Sequence, residues 1–227
     1  MKLPGASSVT VHESPDALSE AAALRIAALA GAAIAARGVF RIALAGGETP
    51  RRCYEKLRGL AVDWAHVQIY FGDERCLPDG DVRRNDRMAH DALLKHIAIP
   101  PGNIHPIPTR HGAQSGAAEY AALLEPVLPL DLVLLGMGED GHTASLFPGN
   151  PATGSAAVAV PVSGAPKPPA ERVSLGMNTL NAARHKIFLV AGAGKREALK
   201  RILRGESLPA ARIVPAEWHI DRAALPG

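Results

Sequence analysis

Short apolar runs alternate along this chain with longer stretches of helical period. Phe40–Ala45 (FRIALA), Val67–Phe71 (VQIYF) and Leu130–Leu135 (LDLVLL) are almost continuously apolar. A run of that length without strict alternation suits a strand covered on both faces, as in a parallel sheet. Ala157–Val162, Arg172–Leu175 and Ile187–Ala191 read as further strands, with Val9–Val11 and Ile104–Ile107 as short ones.

Helical segments fall between them. Ser14 and Pro15 form a start signal, a hydroxyl N-cap followed by proline at the first helical position, and Gly38 stops the helix after Arg37. Thr49-Pro50 repeats that signal for a helix over Arg51–Leu57. Asn85–His96, Ala113–Leu128 (interrupted at Pro126) and Lys195–Leu203 complete the set. Strands alternating with helices predict an α/β fold around a mostly parallel sheet. Gly149–Pro169 is rich in Gly, Pro, Ser and Ala, but strand signals flank it and one lies inside it. It reads as a loop within a single domain spanning 1–227, not as a linker. In such sheets ligands sit beyond the carboxyl ends of the strands. The loops Gly46–Pro50, Gly72–Arg75 and Gly136–Pro148 all leave such ends and are expected to converge on one crevice.

Composition narrows the function. Apolar residues make up 47% of the 227 residues and aromatics only 4%, so the core is built mainly from aliphatic side chains. The net charge is +3, with basic residues scattered, and Arg196, Lys200 and Arg204 fall on one wet helix face. Nucleic-acid binding needs a clustered basic stripe, so a small anionic partner fits better. Cys53 and Cys76 are too few for a disulfide scaffold and show no CxxC spacing, which points to a reducing, cytoplasmic setting. Met1 to Thr10 has no signal-peptide pattern, and the apolar stretch Ala21–Ala36 is short for a membrane span and broken by Arg25. No HExxH or similar metal spacing occurs among the histidines, so neither metal nor cofactor is expected.

Several motifs mislead. Gly136-Met137-Gly138-Glu139-Asp140-Gly141 matches the G-x-G-x-x-G dinucleotide fingerprint after a strand. Pro148 and Pro151 leave no room for the long helix it requires, and no acid lies at the ribose-binding distance. Gly194-Lys195 lacks the remainder of a phosphate-binding P-loop. Ser145 lacks the G-x-S-x-G elbow of a serine nucleophile.

The segment Glu139–Ser145 (EDGHTAS) packs two acids, a histidine and two hydroxyls into a glycine-rich strand-end loop. A histidine can act as a base at neutral pH, and Asp140 stands where it could orient the His142 ring. Read locally, a solvated glycine turn with an incidental histidine fits equally well. Gly46-Gly47-Glu48-Thr49 places free N–H groups near a helix start, where an anion or a plain cap both fit.

Read together, the segments ALAGGETP (Ala43–Pro50), YFGDER (Tyr70–Arg75), Asn85, LDLVLLGMGEDGHTASLFPG (Leu130–Gly149), ERVSLGMNTLNAARHKIFLVAGAGK (Glu171–Lys195) and the tail around Pro209–Ala223 resemble the glucosamine-6-phosphate isomerase/6-phosphogluconolactonase family, and within it the lactone hydrolases. The resemblance spans nearly the whole chain, with the GMGEDGHTASLFPG loop as its most specific part. It implies a Rossmann-like three-layer α/β sandwich, shared with glucosamine-6-phosphate deaminases and ribose-5-phosphate isomerases. It implies hydrolysis of 6-phospho-D-glucono-1,5-lactone, with His142 as general base and Asp140 beside it. It further implies that Arg75, Arg172 and Lys195 meet the phosphate or nearby oxygens, that Gly46, Gly47 and Thr49 border the site, and that Asp73 and Gly138 belong to it. The expected partner is a phosphorylated sugar lactone, with no nucleic acid or membrane, and the chain acts as a monomer or homodimer. Where the family has a small residue this chain has Glu48, which is expected to point away. Deaminase relatives carry a glutamate five positions after the loop histidine, and Phe147 stands there instead. A non-catalytic sugar-phosphate sensor on the same fold is the alternative.

Overall fold

The computed structural model describes residues 3–227. Strand β1 (Ala6–His12) leads into helix α1 (Pro15–Arg37), then β2 (Phe40–Leu44), α2 (Glu48–Leu57), β3 (Val67–Phe71) and β4 (Asp73–Arg75). Helices α3 (Asn85–Ala92) and α4 (Gly112–Leu124) precede β5 (Leu132–Gly136), β6 (Ala159–Val162) and β7 (Arg172–Leu175). Helix α5 (Met177–Ala182), β8 (His185–Val190), α6 (Arg196–Leu203) and β9 (Ala216–Asp221) complete the order.

Six strands form one parallel sheet in the order β1-β9-β8-β5-β2-β3, and β4, β7 and β6 form a separate antiparallel sheet. The apolar runs occupy the sheet interior as their composition requires: β5 is buried at Leu132, Val133, Leu134 and Leu135, and β3 at Val67, Ile69, Tyr70 and Phe71. Connections from β2 and from β5 leave the sheet in opposite directions along it, toward β3 and toward β8, so a crevice opens above the carboxyl ends of this adjacent pair.

The start of α1 is as expected. Ser14 Oγ accepts the Ala17 N–H at 3.2 Å, Pro15 opens the helix, and Gly38 caps it at φ 74°. This 23-residue helix is apolar enough by length and composition to cross a membrane. Here it is a core helix: Leu18, Ala22, Ile26 and Leu29 are buried, and Arg25 forms a two-point ion pair with Glu217 of β9. Helix α2 begins at Glu48 with Gly47 as its cap, two residues earlier than Thr49-Pro50 suggested. The helix expected over Asn85–His96 ends at Ala92 and continues as a 3-10 turn, Leu94–His96. Ile104–Ile107 makes one isolated bridge, Ile69 to Ile104, instead of a strand.

Candidate active site

Two glycine loops are held at their roots by buried tyrosines. Tyr54 on α2 accepts from the Ala45 N–H at 2.9 Å and donates to its carbonyl at 2.8 Å, directly before Gly46. Tyr120 on α4 does the same at Phe71, accepting at 2.9 Å and donating at 3.0 Å, directly before Gly72. Each hydroxyl thus satisfies a backbone pair where the strand ladder ends. A Cβ on Gly46 would lie 2.0 Å from Asn85 Oδ1, so glycine is what lets Asn85 sit there.

Asn85 ties the next loop. Its Nδ2 donates to the Asp73 carbonyl at 2.8 Å and to Asp73 Oδ1 at 3.1 Å, while Ser145 Oγ donates to Asp73 Oδ2 at 2.5 Å. Ser145 is fully buried and committed to that bond, which removes it as a nucleophile. Glu74, fully buried, accepts the backbone N–H groups of Arg75, Asn85 and Asp86, each at 2.8 Å. It thereby joins β4 to the start of α3. Burial, with the Asp86 charge beside it, pushes Glu74 up to about 7 despite those three donors.

The third loop carries the titratable pair. His142 Nδ1 lies 2.5 Å from Asp140 Oδ1, and the His142 backbone N–H donates to the same oxygen at 3.0 Å. Burial works to raise the Asp140 pKa, but the His142 N–H groups and its charge outweigh it and hold the carboxyl below the ordinary value. A carboxylate on Nδ1 puts that nitrogen's proton toward Asp140 and leaves Nε2 as a lone-pair acceptor. Phe147 backs the ring at a centroid distance of 4.5 Å and a tilt of 48°. The loop is tight: Gly138 N–H donates to the His142 carbonyl at 2.8 Å, and Thr143 Oγ1 donates to the Gly136 carbonyl at 2.9 Å. Ala144, which lines the cleft, is held in the left-handed region at φ 48°, a strained position for a residue with a Cβ.

The expected convergence holds. Ala45, Gly46, Gly72, Asp73, Gly136–Glu139, His142, Ala144, Lys167 and Lys195 line one cavity of about 260 Å³. A second lobe of about 250 Å³ is lined by Glu139, Asp140, His142, Phe147, Pro166, Lys167 and Arg172. His142 belongs to both. Lys195 is half-buried, and that burial lowers its pKa against the nearby Glu139 charge, which raises it, with the Lys167 charge adding to the lowering. Gly47 and Thr49 lie at the α2 start beside the first lobe, outside both linings. Glu48 points away as expected, held in ion pairs with Arg51 and Arg52.

Arg75 and Arg172 are register partners on β4 and β7, so their side chains leave the same face of that small sheet. Arg75 lines neither lobe. Its Nη1 donates to the Arg83 carbonyl, and its Nε is buried without a partner among the described residues. Arg172 is buried and its pKa is lowered by that burial, with the Arg75 charge adding to it. Lys167 was not singled out by the sequence, because it sits in the Gly/Pro-rich segment; its position between Pro166 and Pro168 was the available signal. Among the described residues no group of three or more His, Cys, Asp or Glu is placed to hold a metal ion.

A parallel α/β sheet of this topology, with an imidazole–carboxylate pair and two glycine loops at its carboxyl ends, defines the Rossmann-like class of α/β enzymes. The chain belongs to the glucosamine-6-phosphate isomerases/6-phosphogluconolactonase family, whose model matches residues 13–221. It is 36% identical to the 6-phosphogluconolactonase of Mycobacterium tuberculosis, over 96% of this chain and 97% of that protein. The solved 6-phosphogluconolactonase of Trypanosoma brucei superposes with a TM-score of 0.85 at 28% identity, covering 96% of this chain and 97% of that one. A monomeric glucosamine-6-phosphate deaminase shares the fold, with a TM-score of 0.84 at 22% identity over 96% and 98% of the two chains.

Proposed function

We propose that this protein hydrolyses 6-phospho-D-glucono-1,5-lactone to 6-phosphogluconate, with residues 1–227 acting as one catalytic domain in the cytoplasm. The observation that carries the chemistry is the His142–Asp140 pair, with Nδ1 tied at 2.5 Å and the ring on the wall of both lobes.

His142 Nε2 takes a proton from water as its oxygen attacks C1 of the lactone. The carbonyl electrons move to the exocyclic oxygen, where the backbone of the Gly46 loop on the cavity wall can stabilise the oxyanion. As the carbonyl re-forms, the bond from C1 to the ring oxygen breaks. That oxygen takes the proton held on Nε2, which restores the base. Asp140 stabilises the imidazolium between the two transfers. General-base assistance contributes on the order of 10²–10⁴-fold. Lys195 and Arg172, each on the wall of one lobe, place positive charge at the phosphate end of the substrate, and Arg75 stands beside Arg172 outside both linings. Phe147, packed on the His142 ring, stands where a ring-opening deaminase carries a glutamate, which disfavours amino-sugar chemistry.

The test is lactone turnover. The lactone is generated in situ by glucose-6-phosphate dehydrogenase, and its disappearance is followed with wild type, His142→Ala and no protein. Wild type accelerates the decay and His142→Ala falls back to within a few-fold of the spontaneous rate. Acceleration that survives His142→Ala overturns the mechanism. No acceleration with retained sugar-phosphate binding supports the sensor instead.

A further inference from the structure

The turn that follows His142 is strained, and one residue ties it to the small sheet. Leu146 N–H donates to the Thr143 carbonyl at 2.9 Å, which closes a four-residue turn with Ala144 in its second position at φ 48°. A positive φ there is ordinarily glycine's, because a Cβ crowds the following carbonyl. Upstream the loop is bonded to itself, Thr143 Oγ1 to the Gly136 carbonyl and Gly138 N–H to the His142 carbonyl. Those bonds shape the loop but do not join it to the small antiparallel sheet.

Ser145 makes that join. Asp73 on β4 and Ser174 on β7 are register partners, so their side chains leave the same face. Ser145 spans the pair: its Oγ donates to Asp73 Oδ2 at 2.5 Å, and its backbone N–H donates to Ser174 Oγ at 3.3 Å. Among the described residues no other hydrogen bond runs from the loop 136–149 to that sheet. The Asp73 contact is the stronger, a short bond to a carboxylate with both side chains buried. The other Asp73 oxygen takes the Asn85 amide, which rests where a Cβ on Gly46 would clash. One carboxylate therefore sets the base loop against the Gly46 loop. Backbone strain persists only where the surroundings enforce it. Without the Asp73 bond the turn is free to relax Ala144 to negative φ, which reorients the peptides around it and carries His142 with them.

We infer that Ser145 is a positioning residue for the base: its bond to Asp73 holds the Thr143–Leu146 turn in the strained conformation that sets where His142 stands in the cleft. The kinetic side of the inference rests on the proposed lactonase reading, and the structural side on the geometry of the turn. Its consequence is that Ser145 and Ala144 act as a pair, the strain at one making the tie at the other necessary.

The experiment is lactone saturation kinetics, with the spontaneous rate subtracted, on wild type, Ser145→Ala, Ala144→Gly and the double variant Ala144→Gly/Ser145→Ala. Thermal melts and nitrogen NMR of the histidine side chains run beside it, with the His142 signals assigned through His142→Ala. Ser145→Ala lowers kcat about 10- to 100-fold with KM within about threefold of wild type, as a displaced base requires. In the Ala144→Gly background the same substitution costs less than about threefold, because glycine holds a positive φ without the tie. The His142 imidazole resonances shift in Ser145→Ala and return in the double variant, which a loss of stability alone does not produce. Should Ser145→Ala melt below the assay temperature, Ser145→Cys, close in size and a far weaker donor, carries the same test. A folded Ser145→Ala with kcat within about threefold of wild type overturns the inference. An equal kcat loss in both backgrounds overturns it too, since Ser145 would then serve Asp73 and not the turn. So does a rise in KM with kcat kept, which puts the effect of Ser145 on binding. Wild type that leaves the lactone untouched, while the His142 resonances follow the expected pattern, sinks the lactonase reading and leaves the positioning role standing.

Discussion

Gly138→Ala isolates the placement of the His142–Asp140 pair from its chemical identity. A Cβ at Gly138 would lie 2.0 Å from His142 Nδ1, 2.2 Å from its Cε1 and 2.6 Å from Asp140 Oδ1. The closest of these is about 1.4 Å short of ordinary contact, which begins at 3.4 Å. Gly138 is not among the residues at positive φ, so alanine fits the backbone and the clash is the whole perturbation. The loop bonds of Gly138 are made by its N–H and carbonyl, which the substitution keeps. Relief must come from the imidazole and carboxylate, whose side chains are 27% and 40% exposed and free to swing into the cleft. A misplacement of about 1 Å at a reacting group can cost roughly 10²-fold. The kcat of Gly138→Ala should therefore fall about 100-fold with KM within a few-fold of wild type. The overpacking costs roughly 1–3 kcal/mol at most, so the melting temperature drops by about 2–12 °C and the fold survives. The assay is coupled lactone decay with the spontaneous rate subtracted, run beside a thermal melt. A folded variant with kcat within threefold of wild type would refute the reasoning, since it would show that the pair works equally well when displaced.

Gly31→Ala is the opposite case: Gly31 lies mid-helix in α1 with nothing within 4 Å of its added Cβ, so it should stabilise the protein by about 0.5–1 kcal/mol in urea unfolding, with activity unchanged. Glu74 makes stability depend on pH. Its native pKa of about 7 lies above the ordinary 4.5, so its contribution is fully present below about 4.5 and lost as pH rises through about 7. The loss is on the order of 3 kcal/mol, and Glu74→Gln should flatten that part of the stability profile in denaturant titrations from pH 5 to 8; parallel profiles would rule out Glu74 as its source.

What the sequence made legible follows from where side chains find their partners. The central strands were readable because burial on both faces leaves a nearly unbroken apolar run, as at Val67–Phe71 and Leu132–Leu135. The start of α1 was readable because its cap is local, Ser14 to Ala17. Strand β9 was not, because its polar residues are satisfied only at long range: Glu217 by Arg25 and His219 by His12, 207 positions away. Strand β4 falls in Gly72–Arg75, which the sequence pattern reads as a loop. It is a strand because Asp73 is bonded by Asn85 and Ser145, and Glu74 by three backbone N–H groups. The convergence of three loops on a crevice came from topology and the family resemblance together. That Lys167 lines the cleft and that Arg172 donates to its carbonyl depend on how the Gly/Pro-rich segment folds back, which no periodicity encodes.

The order of strands has a further consequence during synthesis. Strand β9 lies between β8 and β1, yet it is the last strand of that sheet to be made. Until it emerges, β1 has no neighbour in the sheet, β8 is an open edge, and Arg25 of α1 lacks Glu217. A nascent chain synthesised only as far as β8 therefore carries an unpaired strand edge, the condition in which chains stick to one another. Closure of the sheet joins β1 to β8 through β9 in one late event. Stalled or C-terminally clipped chains are accordingly the forms of this protein that molecular chaperones and proteases should meet most often.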